Sequence, residues 1–239
     1  MTTFSIVSAN VSAAAGAAED TFVTWWATEH QPEWVALDGF RRGWFLRRID
    51  HRAELGPQPQ RYSAVYEVDG PAAFNAALLA GPPWGPWQDH VDDWLIDWTR
   101  TYRDVLTTVE VVPGDGGYWA TVGVDLDLPD GALAEFNRWY DTVHLPQIVS
   151  APGMRRAWRL QLCPEPGRPG HLGPPGRRFL AIYETDGPDD FAEAREARLR
   201  AGAVAWDEWA PHVREYGVSI YEVRHRVVAT TSSTRQENR

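Results

Sequence analysis

The sequence contains no lysine, so all 23 of its basic residues are arginines. That absence removes Schiff-base chemistry and the phosphate-binding lysine of a P-loop. A single cysteine, Cys163, forbids an internal disulfide and cannot supply a cysteine cluster for a structural metal. No run of about 18 apolar residues is present, and Met1 to Asn10 lacks the basic start and apolar stretch of a signal peptide. The chain is therefore expected to be cytoplasmic, with no membrane partner. Acidic residues number 33 and the net charge is −10, a balance that repels phosphate backbones, so no nucleic-acid partner is expected. There is no G-x-G-x-x-G after a strand, no G-x-S-x-G elbow and no H-E-x-x-H. With 44% hydrophobic and 23% charged residues, the composition suits one large cored domain or two small ones.

What the chain has in abundance is tryptophan, 13 copies, and the order of its rare residues repeats. Phe22-Val23-Thr24-Trp25-Trp26-Ala27-Thr28-Glu29-His30-Gln31-Pro32 lies over Phe136-Asn137-Arg138-Trp139-Tyr140-Asp141-Thr142-Val143-His144-Leu145-Pro146. Without a gap, Val35 then meets Val149, Gly39 meets Gly153, Arg41 and Arg42 meet Arg155 and Arg156, and Trp44 meets Trp158. After a longer loop in the second copy, Ala64 to Pro71 faces Ala181 to Pro188, Phe74 faces Phe191, and Trp84, Trp87, His90 and Val91 face Trp206, Trp209, His212 and Val213. Chance does not align tryptophans and histidines in order over most of two halves. The reading is a tandem duplication, with repeats at 1–113 and 118–228, a turn-rich seam at Pro113 to Gly117, and a loose tail over 229–239.

Each repeat carries the same order of elements. Alternating or β-branched runs at Phe4 to Ser12 and Tyr118 to Leu126 predict strands, and Ala17 to Ala36 and Gly131 to Ala151 show helical spacing. Strand signals return at Phe40 to Arg48 and Met154 to Leu162, and again at Arg61 to Val68 and Arg178 to Thr185. A second helix opens after Asp-Gly-Pro in each half, where proline suits a first helical position, and final strands fall near Tyr102 to Val112 and Val218 to Val228. The order βαββαβ is the ferredoxin-like arrangement. The expected fold is α+β: two fused repeats whose antiparallel sheets cover each other as an intramolecular α/β barrel. Proline-glycine segments Leu55 to Gln60 and Cys163 to Gly176 are expected to form long hairpin tips.

The helix carrying Trp139-Tyr140, three residues, then His144-x-Pro146, followed by Pro152-Gly153-Met154 and an aromatic strand, resembles the dimeric α/β-barrel superfamily, and within it the EthD-like proteins. The likeness covers nearly the whole chain as two copies. It implies the fold strongly and the activity weakly, since that superfamily includes cofactor-free monooxygenases, polyketide cyclases, lactone isomerases, decarboxylases and haem enzymes. The first copy departs from the pattern, with Trp34 in place of Ile148 and Asp38 in place of Pro152, while keeping His30 and Pro32.

The candidate chemistry rests on the histidines. His144 follows Tyr140 by one helical turn and His30 follows Trp26, so each imidazole shares a helix face with an aromatic ring. Facing a cavity between helix and sheet, either could act as general acid or base; the alternative is a core or capping histidine beside a proline. His90 and His212 follow Trp87 and Trp209 by one turn, suiting a pocket wall or plain packing. Tyr66 and Tyr183 sit mid-strand beside Glu67 and Glu184, so one of each pair faces inward, where a tyrosine hydroxyl could steady an enolate or phenolate. Arg41 and Arg155 open strands and could clamp an anion, or form surface ion pairs. Trp25, Trp26, Trp44, Trp139 and Trp158 suit a flat aromatic ligand as well as a core. No local ligand spacing argues for a metal at His30, His90, His144 or His212. The expected function is a cofactor-independent enzyme of a small hydrophobic, aromatic or polyketide-like molecule, using histidine acid-base chemistry for cyclisation, dehydration, isomerisation or decarboxylation. The alternatives are a cofactor-free monooxygenase of a phenol and a non-catalytic small-molecule or haem-binding protein. Either a monomer or a homodimer is consistent with the sequence.

Overall fold

The computed structural model describes residues 2–55, 58–79, 81–163, 176–200 and 208–230. The first half supplies strands β1 (Thr3–Val11), β2 (Phe40–Leu55), β3 (Tyr62–Val68) and β4 (Leu95–Glu110). The second supplies β5 (Tyr118–Leu126), β6 (Met154–Leu162), β7 (Phe179–Thr185) and β8 (Val213–Val228). Helices α1 (Glu19–Trp25) and α2 (Gln31–Val35) run between β1 and β2, with α3 (Pro71–Leu79) and the short α4 (Val91–Trp94) between β3 and β4. Their second-half counterparts are α5 (Ala132–Trp139), α6 (Leu145–Val149) and α7 (Asp190–Arg200). The fold is α+β, and both halves follow the expected order.

Within a half the strands lie as β4-β1-β3-β2 or β8-β5-β7-β6, which leaves two edges in each. Unpaired edges invite aggregation, and here each half uses the other's. Strand β2 pairs with β8, Phe45 opposite His225, and β4 pairs with β6, Thr108 opposite Trp158, both antiparallel. The eight strands thereby close into one barrel. As expected, the two sheets form one intramolecular barrel: they join at their edges and face each other across a shared lumen.

Full closure explains why the strands run apolar on both faces. Tyr62, Ala64, Tyr66 and Val68 of β3 pack under the first-half helices, whereas Val65 between them joins Phe4, Trp44, Leu46, Trp119, Trp158, Leu160, Ile182 and Tyr221 inside the barrel. An eight-stranded barrel is just wide enough for side chains to fill, or to hold one small ligand. Several element ends differ from expectation. Strand β2 runs past Arg48 to Leu55, because His51 and Arg52 still pair with Ser219 and Val218. Strands β4 and β8 begin before Tyr102 and Val218, because Leu95 and Val213 still pair with Val11 and Leu126. Helix α7 opens at Asp190 and not at Pro188, since the Asp190 carboxylate accepts the Gly187 amide at 2.6 Å and holds a turn there; in the first half Pro71 does open α3. Most of the segment Cys163 to Gly176, Gly56 and Pro57 of the shorter hairpin segment, Trp206 and the tail beyond Thr230 lie outside the described residues. Among the described residues, no helix is long and apolar enough to cross a membrane.

Candidate active site

Proline has no N–H for the carbonyl one turn back, and its ring crowds that carbonyl. At Pro32 and Pro146 the helices answer by widening instead of ending. The Gln31 amide bonds the Trp26 carbonyl and the Leu145 amide bonds the Tyr140 carbonyl, the spacing of a π turn over Trp26–His30 and Tyr140–His144. The Thr28 and Thr142 hydroxyls donate to the carbonyls of Thr24 and Arg138, at 2.9 and 2.7 Å. Past α2 and α6 the chain turns through Gly39 and Gly153, at φ of +84° and +78°, where a Cβ would collide with Ala73 or Asp190. This is the physical content of the glycine-led strand in the sequence motif.

In the second half the π turn sets His144 against Tyr140 and Trp139, with ring centroids 4.6 and 4.9 Å apart. The Tyr140 and Tyr183 hydroxyls meet at 3.3 Å across the space between helix and sheet, and Phe191 stands 4.8 Å from the Tyr183 ring. Beneath them lies Arg159 of β6, 1% exposed. Its guanidinium donates to Asp141 Oδ1 at 2.9 Å and Asn137 Oδ1 at 2.6 Å, and lies over the rings of Tyr140 (4.6 Å), Phe179 (5.0 Å) and Phe136 (5.3 Å). Burial pushes Tyr140 up to about 12 and Tyr183 well above the ordinary phenol range, so both remain hydroxyl donors. Burial, with the Arg198 and Arg159 charges, pushes His144 down to about 3, leaving a neutral imidazole that is only partly buried.

The first half encloses its histidine more tightly. His30, 2% exposed, stacks between Trp84 at 4.3 Å and Trp25 at 5.1 Å, and its Nε2 accepts the Trp34 indole N–H at 3.0 Å. Burial pushes it down to about 4. Trp34 also stacks on Phe74 at 5.3 Å and lies 6.4 Å from Tyr66, where the second half has the smaller, buried Ile148. Trp26 packs edge-on against Phe45 at 5.0 Å.

The other candidates are scattered. Trp44 and Trp158 face the lumen with Trp119, away from both histidines. Arg41 and Arg155 lie at strand starts, paired at the surface with Asp69 and Asp186. His90 is exposed and stacks on Trp94 at 4.8 Å, and His212 is half-buried at the start of β8. Tyr66 and Tyr183 face the helices, as alternation allowed, with Glu184 buried on the opposite face of β7. Among the described residues no three His, Cys, Asp or Glu side chains converge as a metal would need. Sequence reasoning missed Arg159; its signal is that it stands where Phe45 stands in the first half and shares a strand face with buried Ala157.

A closed barrel of two βαββαβ halves with the helices outside is the architecture of the ferredoxin-like α+β barrel proteins. Solved structures of that kind superpose over nearly the whole chain. An anthrone oxidase-like protein is 11% identical, with a TM-score of 0.60 over 95% of this chain and 92% of its own. A candidate monooxygenase from Fusobacterium nucleatum subsp. nucleatum is 8% identical, with a TM-score of 0.60 over 96% and 97%. A mutant chlorite dismutase from Candidatus Nitrospira defluvii is 11% identical, with a TM-score of 0.54 over 92% and 91%. No family model and no curated protein matches the chain.

Proposed function

We propose that the chain is an enzyme of a small aromatic or polyketide-like molecule whose active half is the second, and that it is a tandem pair of EthD-like repeats at 1–113 and 118–228. The observation that carries this reading is the polar set Asn137, Asp141, Tyr140, Tyr183 and Arg159, gathered beside a partly accessible His144. The first half has Val23, Ala27, Trp26, Tyr66 and Phe45 at the aligned positions, so the fold packs without these charges.

The chemistry follows from the electrostatics. A neutral imidazole has a lone pair for the proton of a phenol or enol that reaches it past Trp139, and at this depressed pKa the transfer depends on the new imidazolium being paired with the substrate anion it creates. The Arg159 and Arg198 charges that disfavour an imidazolium favour the substrate anion, and of the hydrogen-bonded phenols Tyr140 and Tyr183 the one that accepts from its partner keeps its own proton to donate toward developing negative charge. Haem does not fit this space: Tyr140 and Tyr183 touch across it and Phe191 closes on Tyr183, so no step is routed through it. Replacing His144 with alanine is expected to lower turnover of an ionisable aromatic substrate by about 100-fold or more, and an unchanged rate would sink the assignment. A second reading, direct oxygenation of the same anion, is supported by the names of two of the similar structures, an anthrone oxidase-like protein and a candidate monooxygenase. Substrate-dependent oxygen consumption separates the two.

A further inference from the structure

Glycine in mid-strand marks a place where something approaches the backbone closely. Gly123 of β5 and Gly217 of β8 are such residues, and they stand opposite each other in the ladder. The Arg177 side chain lies across both. A Cβ on Gly123 would come within 2.8 Å of Arg177 Cδ, and one on Gly217 within 3.1 Å of Arg177 Nη2. The glycine pair thus keeps room for a guanidinium at one end of the barrel lumen.

A second guanidinium lies beside it. Arg103 of β4 is 5% exposed and donates from Nη1 to the Arg177 carbonyl at 2.9 Å. Arg103 makes no close ion pair among the described residues; burial lowers its pKa to about 10, with the Arg177 charge lowering it further and the more distant Asp125 carboxylate opposing the shift. Arg177 has Glu215 at 3.7 Å, itself half-exposed. A buried guanidinium without a close ion pair, as at Arg103, is costly, and both arginines, with Glu215, border a cavity of about 240 Å³ inside the barrel. Its walls carry hydroxyls, Ser8 and Ser63 touching at 2.8 Å and Thr101 and Thr121 beside them. Its apolar lining is Trp119, Ile182, Val65 and Leu46, and the Trp119 indole N–H has no acceptor among the described residues. A cavity of about 150 Å³ is enough for benzene, so this one has room for a single ring and a head group.

We propose that the barrel lumen binds a small monocarboxylate with a compact apolar or aromatic body, its carboxylate at Arg103 and Arg177 and its body on Trp119 and Ile182. Planar guanidinium and carboxylate match fork to fork. The site is separate from the His144 cluster, which lies on the outer face of the sheet.

The test is calorimetric titration of the full chain with benzoate and hexanoate, against benzamide as the neutral isostere and inorganic phosphate as the bare anion. A carboxylate should bind one per chain, at least about 10-fold tighter than benzamide and than phosphate. Arg103→Gln should erase that preference, and His144→Ala should leave it intact. Should Arg103→Gln fail to fold, Thr121→Leu, which narrows the lumen and spares both guanidiniums, should weaken carboxylate binding by about 10-fold. Equal affinity for benzoate and benzamide, phosphate binding as tightly as benzoate, no binding of either carboxylate, or loss on His144→Ala but not on the lumen variants would each overturn the proposal.

Discussion

At aligned positions the two halves solve one packing problem in opposite ways. Beneath the first-half helix lie Val23, Ala27 and Phe45, with Trp34 wedged against Phe74. Beneath the second lie Asn137, Asp141 and Arg159, with the smaller Ile148 in the tryptophan's place. A buried ion pair is rarely more stabilising than a well-packed apolar set of similar volume. The first half therefore teaches that the fold does not require the charges of the second, and that their presence calls for a chemical reason.

The comparison breaks most visibly at Arg159. Arg159→Ala should cost about 3 kcal/mol in denaturant melts, because it strands Asp141 and removes the support under three rings. Transplanting the first-half solution, Asn137→Val with Asp141→Ala and Arg159→Phe, should recover stability to within about 1.5 kcal/mol of the parent while turnover stays lost. A triple variant that remains active would show that the polar set is only packing. Next, His144→Ala and His30→Ala should part company. The first should lose about 100-fold in turnover and the second should stay within about threefold, its damage appearing as a lower melting temperature; equal losses would make both halves catalytic. A smaller effect is expected at Trp34→Ile, which gives the first half the second's residue. It should cost about 2 kcal/mol through the cavity it opens. It should also raise the His30 pKa, read by NMR titration, since the donor to its neutral Nε2 and part of its burial are lost.

Strand and helix order were legible from the sequence because each element repeats its apolar spacing in both halves, and one half checks the other. One intramolecular barrel was expected as well; which strand edges close it was not. Edge pairing of β2 with β8 and of β4 with β6 depends on contacts between distant segments, which leave no local period. At the site, His144, Tyr140 and Tyr183 could be placed together from a one-turn spacing and strand alternation. Of the two roles open to Arg155, the structure shows the surface ion pair: strand openings reach solvent, and Asp186 takes it there, whereas Arg159, which sequence reasoning had not singled out, lies deeper in the same strand. Trp44 and Trp158 suited a core as well as a flat ligand, and they lie in the lumen core; alternation alone does not say which sheet face meets helices and which meets the lumen.

The pH dependence of folding offers the finest cut between the halves. Both histidines have pKa values depressed by burial, His30 to about 4 and His144 to about 3, from an ordinary 6.5. Between those values and 6.5 the unfolded chain binds protons that the folded chain does not. The stability each neutral ring contributes is therefore complete above pH 6.5 and lost as pH falls, until about pH 4 for His30 and about pH 3 for His144. Comparing stability at about pH 4.5 and about pH 6, the parent should lose more than His144→Gln by up to about 1.4 kcal/mol per pH unit. His30→Gln should give a similar difference, since carboxylate titrations are common to all three chains. A difference at His30 alone would mean that the partly buried His144 stays open to protons in the folded state, which would remove the neutral base from the second half while leaving the sealed histidine of the first unchanged.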